Sequence, residues 1–88
     1  MNPKVYREAS ETVEKINTSA CDAISRACNY NADFSMRYKR YLYEMFQPKH
    51  KFKWELWWGQ CTPENQLTRA IALDLMAEIV EDENEKRN

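Results

Sequence analysis

The sequence contains very little glycine and proline for its length. Its 88 residues include one glycine and three prolines. An all-β domain needs many tight turns, and these two residue types dominate such turns. A phosphate-cradling loop needs several glycines close together. The composition therefore excludes a glycine-rich nucleotide loop, disfavours a β-sandwich or barrel, and favours helices.

Long apolar runs are also missing. The longest wholly apolar run is 70–73, far below the roughly 20 residues that a membrane-spanning helix needs. The first residues lack the apolar centre of a secretory signal. Three cysteines, an odd number, leave a disulfide framework incomplete and are typical of a reducing compartment. We therefore expect a cytoplasmic protein that does not cross a membrane.

Residues for catalysis or metal binding are few. His50 is the single histidine, and no cysteine or serine lies in a recognisable nucleophile motif. Cys21, Cys28, His50 and Cys61 are donors that zinc accepts, but structural zinc sites usually begin with two ligands only two to four residues apart. Cys21 and Cys28 are seven residues apart, about 10 Å along a helix. We expect a protein that is not an enzyme and has no metal or cofactor.

Helical periodicity covers most of the chain. Apolar residues recur every three or four positions over about 4–28, 33–47 and 63–81, which predicts an all-α domain of three helices. The poor helix formers Asn17-Thr18-Ser19 interrupt the first segment. The apolar pattern keeps its phase across them, which favours one long helix over two shorter ones. We expect residues 1–88 to form a single domain.

The last helix has the clearest local signals. Thr62 followed by Pro63 predicts its first turn, and Asp33 is the expected cap of the helix before it. Apolar residues cover a wide part of the last helix, so we expect it to be the most buried of the three. The polar residues 82–88 are expected to form a frayed acidic tail.

Charge is distributed unevenly although the net charge is only −1. Residues 37–58 hold six basic and two acidic side chains, whereas residues 59–88 hold three basic and seven acidic ones. The middle of the chain is therefore a basic region that also contains all three tryptophans. Basic and aromatic residues together are typical of surfaces that bind a partner.

The segment 49–60 connects the second and third predicted helices. Apolar and charged residues alternate over 51–56, which is a strand pattern, yet no other part of the chain alternates to pair with it. Three alternatives remain open: a short helix, a loop, or a lone strand that pairs with a second copy or another protein. We interpret Phe52 and Trp54 first as core residues. Trp57 and Trp58 are adjacent and cannot easily face the same way, so we expect at least one at an interface.

Two functions fit this pattern. The first is a non-catalytic interaction protein that regulates or inhibits another protein by binding an acidic surface on it, with a homodimer expected because the core is small. The alternative is a binder of single-stranded nucleic acid or nucleotides that uses the same basic aromatic segment, although a sequence pI of about 5.8 disfavours it. The expected binding residues are Arg37, Arg40, Tyr43, Lys51, Lys53, Trp54, Trp57 and Trp58.

The overall make-up resembles that of small accessory proteins of bacteriophages. The chain is short, rich in aromatic residues, and has unpaired cysteines without a catalytic motif. This resemblance is one of type and rests on no specific motif. It assigns no role to any particular residue.

Overall fold

The computed structural model describes residues 1–46 and 61–86, and these residues form four α-helices. Helix α1 is Lys4–Ile16, α2 is Ala20–Ala27, α3 is Ala32–Phe46 and α4 is Pro63–Lys86. No strand occurs in this part of the chain, so the predicted all-α class is confirmed. The connecting segment 49–60 and its three alternatives lie outside the described residues.

The single helix predicted over 4–28 is in fact two helices, because the polar residues between them end one helix and start the next. Asn17 adopts the left-handed conformation, with φ 48°, and its N–H donates to the Val13 carbonyl at 3.0 Å. The hydroxyl of Ser19 accepts a hydrogen bond from the Asp22 N–H at 3.0 Å, which is an ordinary N-cap. Local capping chemistry outweighs the continuous apolar pattern.

The turn between α2 and α3 is closed by its own backbone and an asparagine. The Tyr30 N–H donates to the Ser25 carbonyl at 2.7 Å while Asn29 is left-handed, with φ 55°, as in a Schellman motif. Asn31 Oδ1 accepts from the Asp33 N–H at 3.0 Å. Asn31 therefore supports the start of α3. Asp33, the predicted cap, lies in the first turn of that helix, where its charge suits the positive helix end.

Helices α1 and α4 form the centre of the core, and α2 and α3 pack against them. Helices α1 and α4 run antiparallel, because Gln66 near the start of α4 donates to the Val13 carbonyl near the end of α1 at 2.9 Å. At the opposite end, Glu81 pairs with Arg7. Each fully buried large apolar side chain stabilises the fold by roughly 1.5–3 kcal/mol. The largest buried apolar and aromatic side chains are Tyr6, Val13, Ile24, Tyr38, Leu73, Met76 and Val80.

Helix α4 is longer and less buried than predicted. It continues to Lys86, so residues 82–86, predicted as a frayed tail, are helical. Only one side of α4 lies in the core. The residues of its predicted apolar face that are buried are Ala70, Leu73, Met76 and Val80, whereas Leu67, Ile71 and Leu75 are exposed.

A buried arginine joins the start of α4 to the end of α1. The Arg69 guanidinium donates to Asn65 Oδ1 at 2.8 Å and to the Thr62 carbonyl at 3.5 Å. It also donates to Asn17 Oδ1 and to the Thr18 carbonyl. We call these five residues the arginine clamp. All of its acceptors are neutral, and no carboxylate in the described ranges forms an ion pair with Arg69.

Candidate functional site

The eight residues predicted to bind a partner fall into two groups. Arg37, Arg40 and Tyr43 lie on α3. The other five lie outside the described residues: Lys51, Lys53, Trp54, Trp57 and Trp58. The geometry of the site is therefore built from α3 and the elements next to it.

Arg37 links α3 to the end of α4. Its Nη2 lies 2.5 Å from Glu83 Oε1, and only 16% of its side chain is exposed. The C-terminal end of a helix carries partial negative charge, and Glu83 adds a carboxylate there. Arg37 offsets both charges, so it stabilises the fold in addition to its predicted role in binding.

Arg40 is the more accessible of the two arginines. Its side chain is 65% exposed, and its Nε lies 4.0 Å from Glu44 Oε1 on the next turn. Exposed pairs at this spacing contribute little to stability, so the guanidinium can exchange this contact for one with a partner. Tyr43 follows three residues later and is half-buried.

Arg37 and Arg40 both line a cleft between the start of α3 and the end of α4. Its volume is about 450 Å³, and it is open to solvent. Two guanidinium groups and two carboxylates face it, and Tyr43 is not part of the lining. We call this the α3 cleft, and its remaining lining residues are Met1, Asn31, Asp33, Phe34, Glu83 and Asn84.

Tyr6 on α1 supports Phe34, a residue that lines the α3 cleft. Its hydroxyl donates to the Phe34 carbonyl at 2.8 Å, and the two rings lie 5.8 Å apart between centroids in a tilted arrangement. Burial raises the pKa of Tyr6 to about 12, although the nearby Arg37 acts in the opposite direction. The neutral hydroxyl therefore holds the start of α3 against α1 throughout the physiological pH range.

A second surface lies on α4 and was predicted as core. Leu67, Ile71 and Leu75 are 62%, 50% and 44% exposed. They are spaced four residues apart, so they form one line about 12 Å long on the helix surface. We call these three residues the outer stripe.

The arginine clamp was not predicted from the sequence. In a sequence-based prediction, a charged residue in an apolar helix is usually placed on the solvent-exposed side. A signal was nevertheless present, because Arg69 precedes the buried Leu73 and Met76 by four and seven residues. That spacing places its side chain on the core side of α4.

The Tyr38 hydroxyl and the cysteine thiols were not predicted as site residues. Tyr38 Oη is buried and has no hydrogen-bond partner among the described residues, and burial raises the pKa of its phenol. Burial also raises the pKa of the Cys21 thiol, which Lys39 partly opposes. A thiol with a raised pKa is a poor nucleophile. All three cysteines are free.

Residues 1–46 and 61–86 contain no group of three or more histidine, cysteine or acidic side chains placed to hold one metal ion. Within the same ranges, every helix is too short or too polar to cross a membrane.

Comparison with known proteins yields no relative. No family model matches this chain, and no curated protein or solved structure matches it either.

Proposed function

We propose that this chain is a non-catalytic interaction protein that binds an acidic surface of another protein and thereby regulates or inhibits that protein. The observation that carries the proposal is the position of Arg40, which is exposed and shares the α3 cleft with Arg37 and Phe34. Arginine and aromatic side chains are enriched where binding energy concentrates in interfaces. The proposed surface also includes Lys51, Lys53, Trp54, Trp57 and Trp58 from the sequence that follows α3.

The charge pattern of the α3 cleft favours a protein over a nucleic acid. A nucleic-acid backbone binds best to a continuous track of positive charge. The α3 cleft is lined by Asp33 and Glu83 as well as by the two arginines, so it carries charges of both signs. A protein surface offers groups of both signs. A carboxylate on the partner pairs with Arg40, and neighbouring donors satisfy Asp33.

Composition adds three further parts to the proposal. The unpaired cysteines suit a cytoplasmic location. The small core suits a homodimer. The short chain without a catalytic motif suits a role like that of the small bacteriophage accessory proteins whose make-up it resembles. None of these parts is needed for the binding role of Arg40.

A charge reversal on α3 tests the binding role. Arg40→Glu has a matched control in Arg26→Glu, because each arginine is exposed and pairs with an acidic residue four positions away. We expect Arg40→Glu to reduce capture of a partner protein at least tenfold in quantitative affinity capture. Arg26→Glu should capture as much of that partner protein as the unmodified chain does. Equal capture by both variants would remove the α3 cleft from the binding surface.

Tryptophan fluorescence tests the nucleic-acid alternative directly. The unmodified protein is titrated with a mixed-sequence single-stranded oligonucleotide at low and moderate salt. We expect no saturable change in emission. Saturable quenching that fades as salt increases would instead indicate contacts between phosphates and the basic aromatic segment, and would favour the nucleic-acid function.

A further inference from the structure

Helix α4 presents large apolar side chains on two different sides. One side carries Leu73, Met76 and Val80, which lie in the core. The other side carries the outer stripe, whose three residues are each at least 44% exposed. A helix that is apolar on all sides is typical of one that is covered on all sides. A contiguous exposed apolar line therefore indicates a surface that another element covers.

Acidic residues flank the outer stripe. Glu64 and Glu78 lie seven residues before and after Ile71, so they share its side of the helix, and Asp74 lies one turn away. None of these three carboxylates forms an ion pair with another residue of the described ranges, although Arg7 on α1 attracts Asp74 and Glu78 from a longer distance. The single basic residue between Pro63 and Glu85 is Arg69, which is fully buried. The exposed side of α4 is therefore apolar in the middle and acidic at both ends.

A second copy of this chain does not suit that pattern. In an antiparallel pair centred on Ile71, each Glu64 would face Glu78 of the other copy. In a parallel pair, each carboxylate would lie beside its own equivalent. Both arrangements place like charges together next to the apolar contact, which opposes association. Phosphates of nucleic acids and of anionic lipids are repelled for the same reason.

We propose that the outer stripe binds a basic amphipathic helix of a partner protein. Apolar side chains of that helix would pack on Leu67, Ile71 and Leu75, while its lysines or arginines would pair with the flanking carboxylates. Rows of residues four apart on two helices interlock at a crossing angle of about −50°, and helix-on-helix docking is a common mode of peptide recognition. The contact covers about two turns of α4, which is typical of a weak and reversible complex.

This second surface is independent of the proposed function of the α3 cleft. The outer stripe shares no residue with the α3 cleft. It selects a basic partner, whereas the α3 cleft is proposed to bind an acidic one. A variant in one surface leaves the other intact, so the two proposals fail or succeed separately.

Synthetic peptides provide the probe. The first is a peptide of about 18 residues, long enough to be helical in isolation, with leucines at helical spacing and lysines at the remaining positions. A second peptide carries glutamates in place of the lysines, and a third has the composition of the first in scrambled order. We expect the unmodified protein to bind the first peptide at least tenfold more tightly than either of the others, measured by fluorescence anisotropy of labelled peptide.

Variants locate the binding on α4. Ile71→Ser is expected to weaken binding of the first peptide about tenfold, which is about 1.4 kcal/mol. Glu78→Gln should weaken it about threefold and reduce its salt dependence. Met36→Ser is the matched control, because Met36 is 65% exposed on α3, and it should bind like the unmodified protein. Circular dichroism of each variant verifies that the helices are retained.

Four results would overturn the proposal. Equal binding of the scrambled peptide would show simple charge attraction, and unchanged binding by Ile71→Ser would place the contact elsewhere. A dimer in sedimentation equilibrium that Ile71→Ser dissociates would make a second copy the occupant. Protection of Leu67, Ile71 and Leu75 from hydroxyl radicals in the free monomer would show that this chain already covers the outer stripe.

Discussion

The two ends of α4 are attached to the rest of the protein by different chemistry. At its start, Arg69 is fully buried, and Gln66 Nε2 donates to the carbonyls of Val13 and Glu14 at 2.9 Å each. At its far end, Glu81 and Glu83 make ion pairs whose acidic side chains are 42% and 46% exposed. The first end relies on hydrogen bonds to neutral groups, and the second relies on charge pairs that reach solvent.

The helix dipoles explain why each end uses the groups that it does. The last carbonyls of α1 lack partners within that helix and carry partial negative charge. Gln66 donates to one of them, the Glu14 carbonyl, and also to the Val13 carbonyl, which already accepts from the Asn17 N–H. The Arg69 cation lies at the same end. The C-terminal end of α4 is also negative, and Glu81, Asp82 and Glu83 add to that charge. Arginines from α1 and α3 are therefore needed there to offset it.

Replacing Arg69 should have the largest effect on stability. Arg69→Met keeps much of the side-chain volume but leaves the acceptors of the arginine clamp without their donor. Each buried acceptor that loses its donor costs about 1–3 kcal/mol, so for the several acceptors of the arginine clamp we expect a loss of about 3 kcal/mol or more. For a domain of this size that corresponds to a fall in Tm of roughly 12–24 °C. Urea unfolding followed by circular dichroism measures the loss.

Two observations would sharpen that result. Arg69→Lys retains the charge but not the planar fork, so we expect it to recover only a small part of the lost stability. The loss should also vary little with salt, because the acceptors are neutral and buried. If Arg69→Met lowers the free energy of unfolding by less than about 1 kcal/mol, water replaces the guanidinium in the arginine clamp. The start of α4 would then be held no more strongly than its far end.

Alkaline pH should weaken the fold through Tyr6, near the far end of α4. An unfolded tyrosine loses its proton near pH 10, whereas burial raises the pKa of Tyr6 to about 12. Between these values the unfolded chain releases a proton that the folded chain keeps, so stability is complete below pH 10 and declines as the pH rises toward 12. The difference of about two pKa units corresponds to roughly 2–3 kcal/mol.

Urea unfolding at a series of pH values measures this decline. Tyr6→Phe removes one titrating group and should reduce the decline, while the buried Tyr38 and Tyr41, whose pKa values are also raised, keep a share of it. The variant also loses about 1 kcal/mol at neutral pH with the hydrogen bond to Phe34. Tyr30→Phe is the control, since Tyr30 is 72% exposed, and it should behave like the unmodified protein. An unchanged alkaline decline in Tyr6→Phe would assign the effect to other groups, of which buried Tyr38 is the first candidate.

Most of the fold could be predicted from the sequence because it depends on periodicity and local capping. The all-α class and the helix start at Pro63 follow from such local signals. The break at Asn17 was visible as a composition feature, and the local caps at Asn17 and Ser19 end one helix and start the next. Tertiary partners add to these caps. Asn17 is held by Arg69 and by the Cys61 carbonyl, more than 40 residues away. No local pattern contains that information.

The binding residues were harder to predict, because exposure is a property of the packed molecule. The spacing of Leu67, Ile71 and Leu75 is the same whether their side of α4 faces the core or solvent. Arg37 and Arg40 also look alike in the sequence. In the folded protein, Arg37 is largely buried and pairs with Glu83 on α4, whereas Arg40 is exposed.

The ion pair between Arg7 and Glu81 should have the smallest effect and should depend most on salt. Its two hydrogen bonds are 2.9 and 3.0 Å long, and Glu81 raises the pKa of Arg7, but both side chains are more than 40% exposed. A double-mutant cycle with Arg7→Gln and Glu81→Gln should give a coupling energy below a third of the Arg69→Met loss. That coupling should vanish at high salt. Because the neighbouring carboxylates of α4 also attract Arg7, Arg7→Gln should destabilise more than Glu81→Gln does. A coupling that salt leaves unchanged would show that the far end of α4 is held by buried contacts, as its start is. A larger destabilisation by Glu81→Gln than by Arg7→Gln would show that Asp74 and Glu78 contribute little to the attraction of Arg7.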